Sequence, residues 1–139
     1  MKFSEFSGEQ WAELQPYLDT ALLPVTGLTG TEMPHEAAEA LGRLRDVLAL
    51  IEEPFTGRVV TYPAIQYGQW NADTQRTVSA VCANLRAAGF RYVIVAAAFP
   101  VQDEPPALAD LLFGMDEQGH LPDPGTVSAA VRELWLGRA

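Results

Sequence analysis

The chain has 139 residues, 48% of them apolar and 19% charged, which fits one globular α/β domain over residues 1–139 and excludes a disordered segment. Eighteen acidic residues stand against nine basic ones, a net charge of −9, and the arginines are scattered, so nucleic-acid and anionic-membrane binding are disfavoured. A single cysteine, Cys82, excludes an internal disulfide, and no run approaches the roughly 18 apolar residues of a membrane span, so no membrane insertion is expected.

The opening "MKFSEFSGEQW" lacks the apolar core of a secretory signal, which makes the cytoplasm the expected location. Ser7 precedes a short helix over Gly8 to Gln15, with Trp11 and Leu14 one turn apart and Pro16 as its break. "TALLPV" is a nearly continuous apolar run, the pattern of a strand buried on both faces. Pro24, which has no N–H to donate, marks its end or a position that needs no donor.

A loop over Thr26–His35 leads into "EAAEALGRLRDVLALIEE", where Leu41, Leu44, Leu48 and Ile51 recur at helical spacing. Pro34 suits the first turn of this helix and Pro54 stops it. "GRVVTYP" is the second strand, closed by Pro63. "AIQYGQWN" is a loop, over Ala64–Asn71, before a helix that Asn71 caps and whose stripe is Val78, Val81, Cys82 and Leu85. Gly89 suits the left-handed residue that closes this helix, and Cys82 reads as a small core residue.

"RYVIVAAAFP" is the clearest strand, apolar on both faces. The acidic, proline-rich segment after it is a loop, "DLLFGM" a fourth strand at an edge, and "DEQGHLPDPG" a turn. Asp123 and Pro124 then open a last helix with Val127, Val131, Leu134 and Trp135 on one face. The alternation predicts a three-layer α/β/α sandwich with a mostly parallel sheet of about four strands. Its strand-end loops, Thr26–His35, Ala64–Asn71 and Phe99–Ala107, then share one rim, where a ligand site of such a fold belongs.

That rim lacks the usual catalytic patterns. Gly27 and Gly30 face a helix start, but neither a phosphate-loop nor a dinucleotide glycine spacing is present, and the one lysine is Lys2. Glu32 and His35 lie three apart, with Asp73, Asp103 and Glu104 as candidate third ligands and His120 far along the chain, so no tight metal cluster forms in the sequence. No nucleophile elbow occurs, and the Asp103–Glu104 pair sits in a proline-flanked loop suited to solvent. Tyr62, Tyr67, Trp70 and Phe99 fall at or just after strand ends, where they line a pocket or cap the core. The residues lining a ligand site on this rim are therefore Thr26, Thr29, Glu32, His35, Tyr67 and Trp70, with no catalytic residue, metal or cofactor assigned.

The strings "YLDTALLPV", "FTGRVVTYPAIQY" and "DEQGHLPDP" together resemble the YpiF-like proteins, an uncharacterised bacterial family with a domain of unknown function. The resemblance covers nearly the whole chain and implies a cytosolic bacterial protein with no established activity. A remoter similarity is to the creatininase-like amidohydrolases: Leu23, Pro24, Val25, Pro63, Tyr67 and Gly68 match that scaffold, and Glu32 matches its glutamate loosely. The histidine-bearing loop of those enzymes is replaced here by Ala96, Ala97, Ala98, Phe99 and Pro100. This similarity implies a layered α/β fold without the dinuclear metal site. The expected role is non-enzymatic, through self-association or a protein partner, with Trp135 and Leu136 of the last helix as a dimer face. The alternative is a small hydrolase-like or ligand-binding protein using the strand-end rim.

Overall fold

Two nine-residue strands form the centre of the molecule, β1 over Thr20–Leu28 and β4 over Tyr92–Pro100, paired in parallel from Thr20↔Tyr92 to Val25↔Ala97. The computed structural model describes residues 1–101 and 104–137. On one side of β1 lie β2 (Val59–Thr61) and then β3 (Ile65–Tyr67), which pair with its first and second halves. On the far side of β4 lies β5, Leu111–Met115. Among the described residues the sheet thus has five strands in the order β2-β1-β4-β5, with β3 also on β1, and every pair is parallel.

Side chains alternate across these strands with period two and so divide the core. Leu22, Ile94, Ala96 and Ala98 point to one face, where they meet α2 (Pro34–Glu52) through Leu44, Val47, Leu48 and Ile51, and α4 (Pro124–Trp135) through Val127, Val131 and Leu134. Leu23, Val25, Val93 and Val95 point to the other, where they meet α3 (Ala72–Ala87) through Val78, Cys82 and Leu85, and α1 (Gly8–Leu14) through Trp11 and Leu14. This is the expected three-layer α/β/α arrangement, with Cys82 fully buried among core residues. No helix among the described residues is long and apolar enough to cross a membrane.

Local signals set the helix ends. Ser7, Asn71 and Asp123 accept hydrogen bonds from the amides of Gln10, Thr74 and Thr126, which satisfies donors with no partner inside the helix. Gly89 takes the positive φ of 115° expected where α3 closes.

Three boundaries differ from the sequence reading. β1 does not stop at Val25 but continues through Thr26, Gly27 and Leu28, because Val25 and Leu28 pair with Ile65 and Tyr67 of β3. β3 lies inside the segment Ala64–Asn71 that the sequence pattern gives as a loop; it has only three residues and exists by pairing with β1. Phe99 belongs to β4 and not to the loop after it.

Pro24 is tolerated inside β1 for a definite reason. Thr20 donates to the Arg58 carbonyl and Leu22 accepts from the Tyr62 amide, so the even-numbered residues of β1 turn their backbone groups toward β2 and β3. Pro24 faces the gap between those two strands, where Pro63 interrupts the neighbour and no ladder bond is lost.

At the opposite end of the sheet, Arg58 donates to both carboxylate oxygens of Asp19, at 2.9 and 3.0 Å, and its guanidinium lies 4.1 Å from the Trp135 ring. The Trp135 indole donates to Thr20 Oγ1 at 2.9 Å and its ring packs on Phe55. Trp135, expected with Leu136 to form a dimer face, makes these contacts within the chain and is half-buried, while Leu136 is largely exposed, at 65%.

Candidate functional site

The last residues of β1 and β4 open onto a cleft of about 400 Å³ over the carboxyl ends of the strands. Its floor comes from Thr26, Gly27, Leu28, Ala98 and Phe99, one wall from α2, and the other from Gln69 and Trp70 in the connection to α3. Its position is that of ligand sites in open α/β sheets.

The floor is tightly built. The buried Thr26 hydroxyl donates to Gln66 Oε1 at 2.7 Å, tying β1 to β3. Gly27 has φ 78°, and a Cβ there would lie 2.6 Å from the Phe99 ring, so only glycine lets that ring reach the floor. Trp70 leans on Phe99 with ring centroids 5.6 Å apart.

Glu32 shapes the rim. Its carboxylate accepts from the Thr29 amide at 2.9 and 3.1 Å, the Thr29 hydroxyl at 3.0 Å and the Gly30 amide at 2.9 Å. The Thr29 amide bond leads in holding its pKa down at about 2, below the ordinary 4.5. Glu32 is therefore an ionised loop anchor whose lone pairs are largely engaged by its own turn. Glu36 does similar work at the start of α2, accepting from the Met33 amide at 2.9 Å.

The α2 wall carries Glu36, Glu39, Ala40 and Arg43, a set three and four residues apart that one helical face presents together. Arg43 reaches down to donate from Nε to the Ala98 carbonyl at 3.3 Å. The cleft thus joins an acidic wall and one anchored cation to an aromatic pair.

Of the six residues read from the sequence as lining the rim site, Thr26, Thr29, Glu32 and Trp70 meet in this cleft. His35 and Tyr67 do not line it. His35 is exposed on the first turn of α2, and Tyr67, 68% exposed, ends β3. Nor do the candidate metal ligands converge. Asp73 pairs with Arg76, Glu104 is exposed beside a separate depression on α3, and His120 bonds Asp116 at 3.2 Å in the turn after β5; Asp103 lies outside the described residues. Among the described residues, no group of three or more His, Cys, Asp or Glu side chains is placed to hold a metal ion.

The strand-end aromatics also divide. Tyr62 packs on Phe90 with centroids 5.5 Å apart, so it closes the core, while Trp70 and Phe99 face the cleft. Glu39, Arg43 and Gln69 were missed in the sequence. The 36, 39–40, 43 spacing on α2 is the signal for this wall, while no sequence pattern marks Gln69.

A family model described as "Protein of unknown function (DUF2487)" matches residues 9–100, the span from α1 to the end of β4 that builds the cleft. No curated protein and no solved structure matches the chain.

Proposed function

We propose a function for this chain, which belongs to the DUF2487 family of proteins of unknown function, from its cleft: it acts by binding, and receives a basic segment of a protein partner over the ends of β1 and β4. The observation that carries this reading is the pairing of the Glu36 and Glu39 wall with the Trp70–Phe99 aromatic face. A guanidinium or ammonium group between them meets carboxylates on one side and ring faces on the other. The net charge of −9 draws such a partner in at longer range.

A binding role and not a catalytic one is supported by the state of Glu32, the acid best placed in sequence for proton transfer or metal ligation. It is ionised far below neutral pH and engaged by its own loop. This reading places the protein in the bacterial cytoplasm and assigns it no cofactor.

The test is titration of the labelled protein with a short oligo-arginine peptide, followed by amide and indole NMR shifts. Shifts gathered at Gly27, Glu36, Glu39 and the Trp70 indole are expected, and they weaken with added salt. The double substitution Glu36→Gln and Glu39→Gln keeps an acceptor for the Met33 amide and should abolish them. Shifts scattered over the acidic surface, or untouched by the double substitution, would overturn the assignment.

A further inference from the structure

We infer that the basic segment received by the cleft is the end of a chain: a carboxyl-terminal arginine or lysine whose side chain meets Glu36 and Glu39 while its own α-carboxylate sits on Arg43. This rests on the cleft receiving a basic segment and adds an anion to that ligand.

Among the described residues Arg43 is the only cation lining the cleft. A run of basic side chains alone would bring like charges together there. Arg43 Nε donates to the carbonyl of Ala98, one residue past the last β1–β4 pair, Val25↔Ala97, so the guanidinium is tethered over the strand end. That bond uses only the Nε–H, and both Nη groups remain as donors. Glu39 lies one turn before Arg43, yet among the described residues Arg43 forms no ion pair. The paired Nη edge fits the two oxygens of a carboxylate as a fork.

The spacing on α2 selects the kind of carboxylate. At about 1.5 Å per residue, Arg43 stands roughly 6 Å along the axis from Glu39 and roughly 10 Å from Glu36. In a terminal arginine or lysine the α-carboxylate and the cationic head are separated by the side-chain stem, a span of the same order. Its two charges thus meet two opposite charges on one helix face, with the stem against Trp70 and Phe99. An acidic side chain on the neighbouring residue of an extended internal segment points to the opposite side, away from α2. A volume of about 400 Å³, at the small end for ligand sites, also suits one terminal residue better than a segment crossing the cleft.

The test titrates N-acetylated tetra-arginine with a free carboxyl terminus beside the same peptide ending in an amide, at low salt. The amide carries one more net positive charge, so attraction to a chain of −9 by itself favours the amide. The free acid should nevertheless bind about fivefold tighter to the unmodified chain. Arg43→Gln, shown folded by its amide spectrum, should bind both peptides without that preference. Free arginine carries the same pair of charges and should bind more weakly than the peptide acid. An amide that binds as well as the acid, a preference for the acid that survives in Arg43→Gln, or free arginine binding as tightly as the peptide would each overturn the chain-end assignment while leaving a basic ligand in the cleft. Failure of both peptides to bind would overturn the basic-segment reading and the chain end with it.

Discussion

Gly27 and Phe99 approach so closely that a methyl group on the glycine would stand 2.6 Å from Cδ1 and 2.7 Å from Cε1 of the ring. The floor of the cleft depends on this contact between the ends of β1 and β4. Gly27→Ala faces two separate costs, a positive φ that alanine resists and a ring that must move. Together they should lower stability by about 2–4 kcal/mol in urea denaturation. Phe99→Leu added to Gly27→Ala should recover part of the loss, because it relieves the collision but not the backbone conformation. Strict additivity of the two substitutions would show that the ring contact is not the cause.

Arg58 holds Asp19 in a two-bond fork while lying against Trp135, so planarity matters as much as charge. Arg58→Lys keeps the charge and loses the fork and the stacked plane. The pair is partly exposed, so the expected loss is modest, about 1–2 kcal/mol. Trp135 fluorescence should report the loosening as a red shift. An Arg58→Lys protein as stable as the parent would reduce the fork to a simple surface ion pair.

Acid should loosen the cleft rim. The Glu32 pKa falls from 4.5 to about 2 on folding, so its contribution to stability is complete above the unfolded value and is lost as pH drops through the folded one. Glu52 works in the same direction: burial pushes its pKa up, but the Thr61 hydroxyl and the Lys2 ammonium outweigh burial and hold it down. The stability gap between the parent and Glu32→Gln should therefore be constant above about pH 5 and shrink toward pH 2. A gap that does not change with pH over that range would mean that Glu32 does not anchor the loop as an anion.

Cys82 should be inert in the folded protein. Its side chain is fully buried on α3, and burial pushes the thiol up to about 11. Ellman's reagent at pH 8 should find no reactive thiol in the native chain and one in urea. Rapid native labelling would show that α3 opens readily or packs differently against β1 and β4.

The layered frame is legible in the amino-acid order alone, because its signals are local. Ser7, Asn71 and Asp123 cap helices through bonds to residues three positions on, and the apolar runs of β1 and β4 declare burial on both faces wherever they pair. Tertiary structure decided β3, the continuation of β1 past Pro24, and the cleft. Ile65–Tyr67 is too short to announce itself, and it becomes a strand only because Val25 and Leu28 lie beside it. Glu32 and His35 look equivalent in the sequence, yet one is bound into the turn by Thr29 and Gly30 while the other points to solvent on α2. Nothing local marks that the Trp135 N–H is accepted by Thr20, 115 residues earlier. A residue's own backbone preference is written at its position, but which groups it meets across the chain is set only when the sheet brings distant segments together.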